Sequence, residues 1–130
     1  MIRRFKLDLF APEIVVVVAE LDKAVEVLKE LNDPGLTFLA EELKTCERYQ
    51  GVRIHASNNE HNYLLIWVAP DSNADNFKAT VLHECVHAGM SLFKYHGQDV
   101  ESAEEIFAMT VEKLFKMIIV RVDNMGGIIP

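Results

Sequence analysis

The spacing of hydrophobic residues predicts strands and helices in turn along the first 50 residues. Apolar and polar residues alternate over residues 5–9, which is the spacing of a strand, and residues 14–18 form a β-branched run typical of a strand buried on both faces. Apolar residues then recur at helical spacing, which predicts one helix over residues 21–31 and a second from residue 36 to about residue 49. Between the two helices, the Pro and Gly of residues 32–35 end the first.

Two further apolar segments predict a β-hairpin. Residues 51–56 and 63–69 have the composition of strands, and the polar residues 57–62 between them are typical of a connecting loop. The sequence leaves open whether the second strand, with residues 64–68 at its centre, lies in the middle of a sheet or at its edge.

The second half of the chain predicts two long helices. The first runs from about residue 76 to residue 95 and stops at Gly97, and the second runs from about residue 101 to residue 122. The apolar stripe of the last helix consists of Phe107, Val111, Leu114, Phe115 and Ile118. Residues 123–130 are expected to form a flexible tail. Strands followed by helices predict an α+β fold, in which a small mixed or antiparallel sheet packs against helices.

Length, composition and charge narrow the classes of protein that this chain fits. Its 130 residues are the size of one domain, so residues 1–130 are predicted to fold as a single domain. The 13 basic and 20 acidic residues give a net charge of -7, which argues against nucleic acid and anionic membranes as partners. No apolar run is long enough to span a membrane, and the two cysteines, Cys46 and Cys85, make no disulfide framework. Because no signal peptide is recognised, a cytoplasmic location is expected.

The predicted helix over residues 76–95 contains the sequence H-E-x-x-H at His83, Glu84 and His87. Residues four apart lie one turn apart on one face of a helix, so both imidazoles can point at one ion. Imidazole nitrogens are common zinc ligands, and a catalytic zinc ion has three protein ligands and a water. Glu84 would take the proton of that water as general base and pass it to the leaving group.

The position of the motif on its helix separates two interpretations. The predicted core-facing stripe of this helix consists of Leu82, Cys85, Val86, Gly89 and Phe93. His83 and His87 lie one position off that stripe, which suits ligands that line a cleft. The alternative is an ordinary pair of surface or structural histidines. Cys85, which is on the stripe, is expected to pack in the core rather than bind the metal.

The motif and its surroundings resemble the compact HExxH zincins, which have a metallopeptidase-like fold, and in particular small phage-encoded metallopeptidases. The resemblance rests on residues 80–88, which read T-x-x-H-E-x-x-H-A, and on the E-E-x-x-A of residues 104–108, and it covers a motif-bearing core of about residues 63–118. It implies one zinc ion held by two His and one downstream acid, with Glu84 as general base. It also implies that the strand over residues 63–69 borders the cleft and pairs with extended peptide backbone. For a phage protein, it further implies a location in the host cytoplasm.

Three acidic residues near the start of the last helix are candidates for the third zinc ligand, namely Glu101, Glu104 and Glu105. Glu105 lies one position off the apolar stripe of its helix, as the histidines do on theirs, and it matches the family pattern of a Glu three residues before Ala108. Glu105 is therefore the predicted ligand, with Glu104 as the alternative. Ser102 and Glu105 also fit a capping box, S-x-x-E, which would give Glu105 a purely structural role.

Three functions share this sequence pattern. The first is a zinc metallopeptidase, a hydrolase that binds a peptide or protein substrate. The second is a zinc-dependent hydrolase that acts on a different substrate, because the same chemistry serves amides in general. The third is a phage-type binding or inhibitory module that keeps the scaffold without turnover, for which an acidic chain would suit a basic host surface. The zinc metallopeptidase is the predicted function.

Overall fold

A sheet with two helices forms the first part of the chain, and two long helices form the second. The computed structural model describes residues 1–7, 11–57 and 62–125, with side chains described as far as residue 120. These residues form two units, Met1–Pro70 and Asp71–Pro130. The α+β class is therefore confirmed, whereas the single domain over residues 1–130 stays a prediction.

The sheet of the first unit has four strands and is mixed. The strands are β1 (Ile2–Phe5), β2 (Glu13–Val18), β3 (Gly51–Ser57) and β4 (Asn62–Val68). Their order is β1-β2-β4-β3, so β2 and β4 are the central strands. The central strands run parallel, and each outer strand is antiparallel to its neighbour. The predicted hairpin is thus confirmed as β3 and β4.

Two helices, α1 (Leu21–Glu30) and α2 (Pro34–Leu43), connect β2 to β3. Asn32 follows α1 with a positive φ of 52°, a conformation that Asn tolerates better than most residues. Asp33 then caps α2, since its Oδ1 accepts a hydrogen bond from Gly35 N at 2.8 Å. Pro34 occupies the first helical position, where no amide donor is needed. These residues explain why one helix stops and the next begins within four positions.

α2 ends at Leu43, so the prediction of a helix up to about residue 49 was wrong. Beyond Leu43 the chain forms single turns, in which Cys46 N donates to Leu43 O and Tyr49 N donates to Cys46 O, both at 3.0 Å. The hydroxyl of Thr45 donates to Glu42 O at 2.7 Å, and such local side-chain bonds compete with helix continuation. Cys46 is nevertheless buried, which explains why its spacing looked helical.

The central strands supply most of the core of the first unit. Their parallel register places Val15 beside Leu65 and Val17 beside Trp67. These four side chains share the face that packs with α1 and α2 in one hydrophobic cluster. The indole Nε1 of Trp67 donates to Ala19 O at 2.8 Å, which gives the buried ring the polar partner it needs.

The second unit contains α3 (Ala74–Tyr95), a 3-10 turn (Glu101–Ala103) and α4 (Glu104–Met125). Asn73 caps α3 with its side-chain oxygen. Gly97 ends α3 with a positive φ of 68°, and Gln98 N donates back to Phe93 O at 2.8 Å. This is the usual glycine-terminated helix end, so the predicted stop at Gly97 is confirmed.

Close packing fixes how α3 and α4 align. The ring of Phe93 meets that of Phe107 edge to face, with centroids 5.4 Å apart. A Cβ at Gly89 would lie 3.1 Å from Phe107 Cε2 and 3.1 Å from Val111 Cγ2, so glycine permits this approach. The predicted stripe of the last helix is confirmed at its centre, where the buried residues are Val111, Leu114 and Ile118.

Several predicted boundaries differ from the structure or lie outside it. β1 ends at Phe5, so the first strand lies earlier than predicted, and residues 8–9 of that prediction are outside the described residues. Residues 58–61 of the predicted loop and residues 126–130 of the predicted tail are also outside them. α4 continues through Met125, so residues 123–125 are helical. Within the described ranges, none of the helices has the length and apolar character needed to cross a bilayer.

Candidate metal centre

α3 brings His83 and His87 side by side. Their Nε2 atoms lie 3.2 Å apart, and their ring centroids lie 4.8 Å apart with the planes at 72°. Helix geometry explains the contact, because side chains at positions i and i+4 lie one above the other on the same face. The structure thus brings these two predicted ligands together.

The separation of the two Nε2 atoms suits a shared zinc ion. In tetrahedral coordination with Zn–N bonds of about 2.05 Å, two nitrogen ligands lie about 3.3 Å apart. The same separation allows one neutral imidazole to donate a hydrogen bond to the other. The observed 3.2 Å therefore fits both the metal ligands and the ordinary histidine pair.

Glu84 lies on the buried side of α3, next to the histidine pair. Only 6% of Glu84 is exposed, whereas His83 is exposed and His87 is half-buried. Glu84 is about 60° around the helix from His87. A buried carboxylate costs free energy unless polar groups compensate it. The helix therefore holds a carboxylate shielded from bulk water beside two imidazoles.

The buried face of α3 is rotated relative to the predicted core-facing stripe. Leu82, which the prediction placed in the core, is 46% exposed. Cys85, Gly89 and Phe93 of the predicted stripe are buried, as predicted. Burial also extends to Phe77, Val81, Glu84, Ala88 and Leu92. The prediction rested on the spacing of apolar residues, so it included Leu82 and left out Glu84. As a result, His83 lies on the exposed side rather than at the edge of the buried stripe.

Cys85 packs in the interior, as predicted. It is fully buried, and neither Cys85 nor Cys46 forms a disulfide. Burial, and secondarily the negative charge of Glu84, raises the pKa of the Cys85 thiol to about 12. Its burial and its uncharged form at neutral pH are in keeping with a packing role in the core.

The acidic residues predicted as the third ligand lie at the start of α4. Glu104 and Glu105 are both exposed. The contacts of Gly89 and Phe93 with Phe107 align the two helices in opposite directions, which places Glu105 about 10 Å along the helix axis from His87. Among the described residues, no three His, Cys, Asp or Glu side chains form a group that could hold a metal ion. The structure therefore does not bring either carboxylate to the histidines.

The turn before α4 has hydrogen bonds of its own. Ser102 Oγ donates to Asp99 O at 3.1 Å, and Asp99 Oδ1 accepts from Glu101 N at 3.1 Å. The Ser102 hydroxyl thus bonds a preceding carbonyl, and a 3-10 turn precedes α4. In this part of the described chain, the hydrogen bonds that begin the helix do not involve the Glu105 side chain.

β4 lies in the middle of the sheet, so the prediction that this strand pairs with a peptide substrate was wrong. β4 pairs with β2 along one edge, from Tyr63 to Val68. It pairs with β3 along the other edge, from Asn62 to Val68. Because both rows of backbone donors and acceptors are already used, no further strand can add to β4. The edge strands of the described sheet are β1 and β3.

Sequence reasoning missed a group of polar side chains in the first unit. The Tyr63 hydroxyl donates to Asp33 Oδ2, and the Arg4 guanidinium donates to the carboxylate of Glu13. Burial, and then the hydrogen bond to Asp33, raises the pKa of Tyr63 to about 12. The hydrogen bond to Glu13 raises the pKa of Arg4 above its ordinary value. The available signal was Asp33 before Pro34, which marks a helix cap, but no local pattern indicates that Tyr63 reaches it.

Comparisons with protein-family models, curated proteins and solved structures found no match for this chain. The function is therefore inferred from the chemistry of His83, Glu84 and His87.

Proposed function

We propose that this protein is a zinc-dependent peptidase in which His83 and His87 hold the metal and Glu84 is the general base. The observation that carries the proposal is the pair of Nε2 atoms 3.2 Å apart on adjacent turns of α3, with a buried carboxylate beside it. The H-E-x-x-H spacing is the one that zinc-assisted amide hydrolysis uses. A bound zinc ion would supply Lewis acidity for the scissile carbonyl.

Each of the three side chains has a separate task. His83 and His87 would bind zinc through Nε2 as neutral imidazoles. Glu84 would take a proton from the attacking water and deliver it to the leaving amine. Its low exposure limits competition from bulk water for that proton. The proposed partner is a peptide or protein substrate in the cytoplasm, in keeping with the net charge of -7, which disfavours nucleic acid and anionic membranes.

A third protein ligand is part of the proposal, with Glu105 ahead of Glu104. Both lie in the first turn of α4, and Glu105 is about two turns along the helix axis from His87. Glu105→Gln and Glu104→Gln distinguish the two candidates. Loss of zinc affinity in only one of them identifies the ligand. Full affinity in both would leave a two-histidine site completed by other ligands.

Zinc content is the first test of the proposal. The full chain is purified without chelator and without a metal-affinity step, and we expect about one zinc per chain. His83→Ala and His87→Ala should each lose it. His96→Ala, which removes a histidine from the C-terminal cap of the same helix, should keep it. A wild-type chain that takes up no zinc at micromolar concentrations would contradict the proposal.

Glu84→Gln separates catalysis from metal binding. We expect this variant to keep its zinc while its cleavage of a mixture of unstructured peptides falls at least about 100-fold. Unchanged cleavage would exclude Glu84 as the base. Stoichiometric zinc with no peptide cleavage by the wild type would favour a hydrolase with a different substrate. A biological effect kept in full by Glu84→Gln would favour the binding or inhibitory module.

A further inference from the structure

α4 carries a second apolar stripe, on a different side from the one that packs against α3. Ile106, Met109 and Val120 are 56%, 59% and 56% exposed, and the half-buried Met117 lies between them. The buried stripe of Val111, Leu114 and Ile118 lies about 120° around the helix. A solvent-facing helix side is normally polar, so an exposed apolar stripe indicates a surface that binds a partner.

The spacing along this outer stripe is symmetrical. Its positions are Ile106, Met109, Lys113, Met117 and Val120, at intervals of 3, 4, 4 and 3 residues. An antiparallel second copy of α4, centred on Lys113, would place Ile106 opposite Val120 and Met109 opposite Met117. A two-fold dimer requires such a self-complementary patch. We therefore propose that two copies of this protein form a two-fold dimer through their outer stripes, packed antiparallel.

The charged residues on this side of α4 bear on the strength of the pairing. The pairing places Lys113 of one copy opposite Lys113 of the other, and two like charges at the centre weaken the helix pair. Exposed Glu112 is next to Lys113 and forms an ion pair with Lys116 at 2.7 Å. In the dimer, Lys113 of each copy therefore also lies close to Glu112 of the other copy, which is one residue from the position that it faces. Glu112, Lys113 and Lys116 together leave this side of each copy slightly positive, whereas the whole chain has a net charge of -7, so repulsion between the acidic copies is smaller where they meet.

The shape and size of the surface indicate a weak dimer. A groove of about 560 Å³ lies on this side of α4, and its lining includes Ile106, Met109 and Met117. Methionine side chains adapt readily to an apposed apolar surface. The stripe from Ile106 to Val120 is only about 21 Å long, and stable interfaces usually bury about 800 Å² on each partner. We expect a reversible dimer with a Kd on the order of 10 µM.

Sedimentation equilibrium of the full chain, from about 1 to 200 µM, tests the dimer across the expected Kd. Met109→Glu puts a carboxylate in the outer stripe and should weaken the dimer at least about tenfold. Ala108→Glu adds the same charge one residue away, at an exposed position off the stripe, and should leave the Kd unchanged. Ile106→Glu is the second stripe variant, and circular dichroism checks that all three variants fold. A wild type that is monomeric throughout, or stripe variants that dimerise as tightly as the wild type, would overturn the proposal.

Disulfide cross-linking tests the antiparallel orientation. Cys46 and Cys85 are buried, so Ile106→Cys and Val120→Cys introduce the reactive thiols. We expect a cross-linked dimer when the two variants are mixed and little when either is alone. Cross-linking of each variant with itself, but not with the other, would overturn the antiparallel pairing. A different result would be a monomeric chain that sediments with phosphatidylserine vesicles, with Met109→Glu abolishing the vesicle binding. That result would overturn the dimer and assign the stripe to a membrane surface.

Discussion

Tyr63 is expected to make the free energy of unfolding depend on pH between about pH 10 and pH 12. Its hydroxyl donates to Asp33 Oδ2, its side chain is only 7% exposed, and its pKa is raised to about 12. Tyrosine in an unfolded chain has a pKa of about 10, so the folded protein holds the phenolic proton more tightly. The resulting stabilisation is complete below about pH 10 and is lost as the pH rises towards 12.

The size of the effect follows from the two-unit difference between these pKa values. Each unit is worth about 1.4 kcal/mol, so the whole shift amounts to about 2.7 kcal/mol. Tyr63→Phe removes the hydroxyl together with its titration. At pH 8 the variant should be less stable than the wild type by about 1.5–3 kcal/mol, the range for a hydrogen bond to a charged group. By pH 11, about 1.4 kcal/mol of that difference should be gone.

Urea titrations at a series of pH values measure this difference. Trp67 is the only tryptophan and is 1% exposed, so its fluorescence reports unfolding. Titration of the lysines is common to both chains and cancels in the comparison. Tyr49→Phe is the matched control, because Tyr49 is 60% exposed, and its difference from the wild type should stay flat. If the difference between the wild type and Tyr63→Phe is constant from pH 8 to 11, the reasoning about Tyr63 is refuted.

Three further predictions concern the second unit. Gly89→Ala should lower the free energy of unfolding, measured by urea titration, by about 1 kcal/mol, because overpacking against Phe107 and Val111 outweighs the gain in helix propensity. A variant more stable than the wild type would show that α4 moves away freely. Asn73→Ala should cost about 1 kcal/mol through loss of the cap of α3, and unchanged stability would show that water replaces it. Cys85 should react with a thiol reagent at pH 8 only after unfolding, given its burial and raised pKa; rapid reaction of the folded protein would contradict this.

The strands could be predicted from local composition, but their order could not. Residues 14–18 are a β-branched run and residues 64–68 are an apolar run that includes Trp67, and such runs are typical of buried strands. That β4 is central depends on its pairing with β2 from a distant part of the chain. Local sequence contains no information on that pairing, so the sequence left open whether this strand is central or at an edge. The pairing with peptide that the family resemblance implied was wrong.

The same limit applies to the candidate site. The convergence of His83 and His87 follows from helix geometry alone, and it could be predicted from their spacing. The burial of Glu84 depends on which side of α3 is covered, and the spacing of the apolar residues placed that side too close to Leu82. The distance of Glu105 from the histidines depends on how Gly89 aligns the two helices, which is a property of packing rather than of sequence spacing.

The parallel pairing of β2 with β4 has a consequence for synthesis of the chain. Glu13 pairs with Tyr63, 50 positions further on, so the centre of the sheet is built from contacts distant in sequence, which slow folding. At typical translation rates of about 5–20 residues per second, β2 is made about 3–10 s before its partner strand. During that time the segment from Ile14 to Val18 is an uncharged, β-branched run, the kind of sequence that aggregates when exposed. Early pairing with β1, which precedes it in the chain, would cover one edge of this segment while β4 is still being synthesised.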